Sequence, residues 1–203
     1  PEDLTTLQRG AIDVGALVKL PPFIPAGGII AVSTPGGEDR SARMLLSLFA
    51  GVAQPDSGVA QCLSPLAAEL VTNSEDGIDV MRSSLQRNLT YALSKEAAHA
   101  LSDKALWELC RRCGMSKMLL GGDEYKAGWA RKVIKPHSHR HFDDLGKILI
   151  VRALLQRPDV LILDHVSTLW SLEHGAELGV LMRQFIDGTL DDCLGRTRAA
   201  SST

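Results

Sequence analysis
Any chemistry this chain performs has to start from a handful of residues whose types and spacing suit it. Asp164 closes the apolar run Val160-Leu161-Ile162-Leu163. A short unbroken apolar run predicts a strand buried on both faces of a parallel sheet. The carboxyl edge of such a strand is where open α/β sheets bind their ligands. His165 follows directly, and an imidazole can act as a base. Upstream, Ile29–Val32 reads as a second buried strand, Ser33–Ser41 as a polar glycine-containing loop, and Ala42–Ala50 as a helix that Gly51 ends. Strand, glycine loop and helix in that order make a unit whose helix N-terminus attracts an anion. His137, His139 and His141 alternate and precede Asp143 and Asp144; on a strand, alternate imidazoles would point one way and could bind zinc. Cys110 and Cys113 form a Cys-x-x-Cys pair.

Two of these sets have a plainer reading. No helix or apolar strand surrounds Lys135 to His141, which reads as a solvated loop. Cys110 and Cys113 share a helical apolar face with Leu106 and Leu109. Packing therefore accounts for the two thiols, and no second cysteine pair completes a zinc site.

The elements that must position the remaining sets follow from apolar spacing and turn chemistry. Leu145, Ile148, Leu149 and Leu155 recur at helical spacing, with Asp143 or Asp144 to cap the segment and Pro158 to stop it. Met44, Leu45, Leu48 and Phe49 predict the inward side of the helix after the glycine loop. Arg9–Leu17 and Lys19–Pro25 read as edge strands whose pairing Pro21-Pro22 limits. Val59–Cys62 and Leu70–Thr72 are further short strands. Ser102 with Asp103 caps a helix that runs to about Cys113 and ends at Gly114. Residues 76 to 144 therefore form a mainly helical insert between strands, and the small, polar tail Gly188–Thr203 is expected to be frayed.

With 203 residues, 45% of them hydrophobic, the chain can bury a sizeable core as one large domain or two smaller units. Lys and Arg number 22 against 24 Asp and Glu, a net charge of -2. That balance argues against a nucleic-acid partner, whose footprint is a basic excess. No apolar run is long enough to span a membrane, and Pro1-Glu2-Asp3-Leu4 does not read as a signal peptide. Four cysteines are too few for a disulfide scaffold, which points to a reducing, cytoplasmic compartment.

The wording of several segments resembles one family. A helix, the Arg157-Pro158-Asp159 turn, an apolar strand and terminal Asp164 resemble the Walker B region of the nucleotide-binding domains of ATP-binding-cassette (ABC) transporters. Val151–Pro158 is similar to that family's helix after the signature motif. Leu46–Gly51 and Gln54–Gly58 are similar to its wording after the P-loop, and Met81–Tyr91 to the segment that exporter-type cassettes place just past the Q-loop. The resemblance covers residues 9 to 175. It implies an α/β fold: a P-loop NTPase-like core of mostly parallel sheet with a small antiparallel edge (1–75 and 145–203), and a helical subdomain insert (76–144). It further implies ATP and Mg²⁺ as ligands, a transmembrane domain and a second cassette (as homo- or heterodimer) as partners, and a place at the cytoplasmic face of a membrane.

Within that resemblance, the positions that contact ATP depart from the family's pattern. A working P-loop is G-x-x-x-x-G-K-[ST]: its glycines let backbone N–H groups wrap the phosphates, its Lys neutralises them, and its hydroxyl holds Mg²⁺. Here the loop is Thr34-Pro35-Gly36-Gly37-Glu38-Asp39-Arg40-Ser41-Ala42. Counting back from Ala50-Gly51 puts the Lys position at Ala42, and counting forward from Ile29–Val32 puts it at Arg40. Neither is Lys, and the nucleotide-binding set becomes Gly36, Gly37, Arg40, Ser41 and Ala42. Glu38 and Asp39 stand where a polyphosphate would sit. A like-charge contact at ~4 Å costs about 4 kcal/mol at an effective dielectric near 20, roughly a thousandfold in affinity. Arg40 and Arg43 offset part of this.

Asn73 falls at the Q-loop position. The signature region is Arg140–Asp144, where His141, Phe142 and Asp143 stand; Phe142 and Asp143 replace both glycines and block close backbone approach to a phosphate. Asp164 matches the Asp that holds Mg²⁺ when nucleotide binds. His165 stands where the family carries its catalytic Glu and is expected to be inactive, since a neutral imidazole lacks the charge used there. Val166–Ser171 takes the place of the D-loop without its closing Asp. No switch-loop His follows His174 and no apolar strand follows Phe185-Ile186, so either the chain stops before the final strands or the protein lacks them.

These departures describe a degenerate cassette, with hydrolysis lost and ATP binding weak or absent, that pairs with a competent cassette. The alternative is a live ATP-hydrolysing cassette in which Arg40 replaces Lys and His165 replaces Glu. A more distant alternative is a metal-dependent hydrolase built on His137, His139 and His141.

Overall fold
The computed structural model describes residues 28–29, 39–54, 67–72, 80–134, 142–164 and 175–190. The chain divides into two compact units, residues 1–70 with 158–164 and residues 71–157 with 165–203. The described residues mix helix and strand and include a small two-stranded parallel sheet, which is compatible with an α/β class.

The first unit contains α1 (Asp39–Phe49), most of β1 (Ala68–Thr72) and β2 (Val160–Asp164). The register of β1 against β2 is pinned where the two begin. The Ala67 carbonyl accepts the Asp159 N–H at 2.8 Å and the Val160 N–H at 3.1 Å. The Asp159 carboxylate returns the bond by accepting the Ala67 N–H at 2.9 Å. A register fixed this way also fixes which β2 side chains share a face, since alternate residues point the same way.

Helix α1 begins at Asp39, ahead of the expected Ala42. Gly51 terminates it at φ +70°, a left-handed turn that costs glycine nothing. Leu45 and Leu48 are buried as expected, whereas Met44 is 39% exposed. Around the helix Met44 lies about 40° from Leu48 and about 100° from Leu45, which leaves it at the edge of the apolar arc. Strand β2 is not buried on both faces as its apolar run predicts. Ile162 and Asp164 are buried while Val160, Leu161 and Leu163 are half-buried. Pleating puts the two buried residues on one face.

The second unit is helical: α2 (Leu85–Thr90), α3 (Lys95–Ala100), α4 (Asp103–Arg112), α5 (Lys117–Leu120), a single 3₁₀ turn at Trp129–Arg131, α6 (Phe142–Gln156) and α7 (Gly175–Ile186). Ser84, Ser94, Ser102 and Ser116 cap α2 to α5, each side chain accepting a backbone N–H three residues on. Helix α6 is the centre of this unit and packs on α2 and α4. Its residues Val151 to Leu155 are all buried, the pattern of a core helix rather than a surface one. Leu85 and Leu89 of α2 and Leu109 of α4 are fully buried.

The start of α6 corrects the expectation drawn from its sequence, whereas its end, just ahead of Pro158, agrees with it. Asp144 lies inside the helix and its carboxylate binds Ser116 of another segment, so it is no cap. The helix stops on Arg157, which takes φ +55° before Pro158. Cys110 on the inner face of α4 and Cys113 at its C-terminal cap are buried free thiols, as the packing reading requires. The edge strands expected at 9–25, the strand at Val59–Cys62 and the tail beyond residue 190 lie outside the described residues. Among the described residues, no helix is long and apolar enough to cross a membrane.

Candidate functional site
Asp164 is the last residue of β2, with a side chain 5% exposed. A carboxylate removed from water needs a partner, because the charged form is otherwise strongly disfavoured. Helix α1 packs against β2 and supplies one. The Nε of Arg43 lies 3.2 Å from Asp164 Oδ2, and the rest of that side chain reaches outward, 41% exposed. The Nε atom is itself buried and makes no directed hydrogen bond. The contact is thus an ion pair set by charge and proximity rather than by donor alignment.

The elements place both groups without strain. The apolar run of β2 holds the Asp164 backbone at the strand end, and the Asp159–Ala67 exchange fixes the strand's register. Leu45 and Leu48 anchor α1, and Arg43 stands two residues before Leu45 in the helix. Arg43 enters the sequence reading only as a partial offset to Glu38 and Asp39; its role as the partner of Asp164 is not legible there. A cation one turn into the helix that follows the glycine loop is the signal that would have raised it.

The other expected positions fall as follows. Arg40 and Ser41 belong to the first turn of α1, and Ala42 follows them, half-buried. Phe142 and Asp143 belong to the first turn of α6. Gly36, Gly37, Asn73, His141 and His165 lie outside the described residues, as do His137 and His139. Among the described residues, no three His, Cys, Asp or Glu side chains group closely enough to hold a metal ion.

Electrostatic perturbation elsewhere is structural in origin. The Arg111 guanidinium hydrogen-bonded to Glu108 holds that carboxyl down at about 2, opposed by partial burial and reinforced by Arg112. Burial pushes the Cys110 thiol well above its ordinary value, and neighbouring Cys113 adds to the shift. A thiol raised in this way is a poor nucleophile and a poor metal ligand.

No protein-family model matches the chain, and no curated protein aligns with it.

Proposed function
We propose that this chain is the nucleotide-binding domain of an ABC transporter, of exporter type, that has lost ATP hydrolysis. In this reading it braces a transmembrane domain at the cytoplasmic face of a membrane and docks against a second, competent cassette. The observation that carries the reading is the packing of α1, the helix after the glycine loop, on β2, the strand that ends at Asp164. That is the neighbourhood in which a P-loop core brings a phosphate-binding helix to a metal-binding acid. The mainly helical stretch between β1 and β2 supports the same reading, since the resemblance assigns residues 76–144 to a helical subdomain.

The loss of chemistry follows from residue types. Arg40 or Ala42 stands at the lysine position, His165 at the glutamate position, and Phe142 and Asp143 at the signature glycines. ATP and Mg²⁺, which the family would hold, bind weakly or not at all. A mant-ATP titration with and without Mg²⁺, paired with a coupled ATPase assay, tests this. No turnover and no saturation below ~10 μM is the expected outcome. Tighter, Mg²⁺-dependent binding that Asp164→Ala abolishes would reject it, and turnover that His165→Ala removes would favour a live cassette instead.

A further inference from the structure
A strand-end carboxylate that serves Mg²⁺ must leave its oxygens open to an octahedral ion that keeps several waters. Asp164 does not meet that requirement. Its side chain is 5% exposed, and Arg43 Nε is 3.2 Å from Oδ2. A fixed positive charge at that distance repels a divalent ion approaching the same oxygen, and burial leaves little water to screen the repulsion. The Nε atom is buried without a directed hydrogen bond, so its contact with Asp164 is one of charge.

We infer that Arg43 is a built-in counter-ion that replaces the divalent cation at Asp164. The strand-end acid then holds α1 against β2 and takes no metal. The inference deepens the proposed function, on which it rests only in treating Asp164 as the metal-site acid of a cassette. It also explains how a carboxylate kept from the metal chemistry can stay buried: the protein supplies its cation from the neighbouring helix.

The probe is Mn²⁺ alone, with no nucleotide, followed by electron paramagnetic resonance and by thermal melting of the full chain. Wild-type protein should show no saturable Mn²⁺ binding that depends on Asp164, and its melting should be the same in EDTA and in millimolar Mn²⁺. Arg43→Gln should melt about 5 °C lower in EDTA, because the buried acid loses this cation. Mn²⁺ should bring that variant back toward the wild-type value, and the recovery should vanish in the double variant Arg43→Gln, Asp164→Asn. Asp164-dependent Mn²⁺ binding by the wild type would overturn the inference, and that arm needs no variant to fold. Wild-type melting of Arg43→Gln in EDTA, or no recovery in Mn²⁺, would overturn it as well. Tight Mg²⁺-independent ATP binding would sink the degenerate-cassette reading and leave this result untouched.

Discussion

Asp144 of α6 binds Ser116, the capping residue of α5, through both carboxylate oxygens: Oδ1 accepts the backbone N–H at 2.8 Å and Oδ2 accepts the hydroxyl at 2.5 Å. Ser116 Oγ in turn accepts the Leu119 N–H. One helical turn along α6, Lys147 Nζ donates to the Gly114 carbonyl at 2.7 Å. The first turns of α6 therefore grip the link between α4 and α5 from a carboxylate and an ammonium placed on one face. Asp144→Ala removes the partner of a half-buried N–H and hydroxyl, which costs about 1–2 kcal/mol, or a fall in melting temperature of about 2–8 °C for a chain of this size. Ser116→Ala, which keeps the backbone bond, should cost about 1 kcal/mol. Equal melting of Asp144→Ala and wild type would show that this grip contributes nothing.

Asn88 supplies the second test. It is fully buried, its Oδ1 accepts the Met81 N–H at 2.8 Å, and its Nδ2 donates to the carbonyls of Met81 at 2.9 Å and Ser84 at 3.1 Å. Arg152 of α6 then donates to the Asn88 carbonyl at 3.0 Å and places its guanidinium 4.4 Å from the Tyr91 ring centre. Asn88→Asp keeps the shape but turns a carboxylate onto two carbonyl oxygens, at a cost of about 3 kcal/mol. Tyr91→Ala removes a cation–π contact between an exposed ring and a buried guanidinium, worth about 1–2 kcal/mol. Urea midpoints should fall in that order, and the reverse order would place the weight on the ring instead of the amide.

What the sequence revealed of this fold tracks the length of each signal. The β2 strand and Asp164 were readable because an apolar run ends abruptly on an acid, and α4 because a serine cap, an apolar stripe and a terminal glycine coincide. The serine caps of α2, α3 and α5 were missed, since those helices span only 6, 6 and 4 residues, too short for a periodic stripe. Asp143 or Asp144 reads as a cap because an acid before apolar residues looks like one locally; both lie inside α6, and the partner of Asp144 is in another segment. The Arg43–Asp164 pair is hidden for the same reason, as no local window contains both residues. Met44 sits at the edge of the apolar arc of α1, where spacing alone does not decide between burial and exposure.

Acid should reveal the Glu108 cluster. Glu108 accepts from Arg111 Nη2 at 2.6 Å and from Arg112 Nε at 3.1 Å, and its carboxyl is lowered from 4.5 to about 2. A depressed carboxylate contributes stability that is complete above its unfolded value of 4.5 and is lost as pH falls through about 2. Because both arginines reach solvent, the contribution is held to about 1 kcal/mol or less. Glu108→Gln should be less stable than wild type above that window and should converge on it at the acid end. Parallel stability curves for the two proteins across the window would remove the assignment.

The buried thiols make the last prediction. Cys110 in α4 is 0% exposed and Cys113 at its C-terminal cap 1%, and burial raises the Cys110 thiol well above its ordinary value. Thiolate is the species that attacks a disulfide reagent, so the native protein should leave Cys110 unlabelled by Ellman's reagent. Labelling of Cys110 should appear only as urea unfolds the chain, with the same midpoint as the loss of helical circular dichroism. Cys110→Ser should be destabilised by about 1–2 kcal/mol, since it sets a hydroxyl in an apolar site. A redox or metal-binding pair predicts the opposite pattern: fast labelling of native protein, suppressed by zinc or by oxidation. Observing that pattern would move Cys110 and Cys113 out of the core and into the chemistry of the chain.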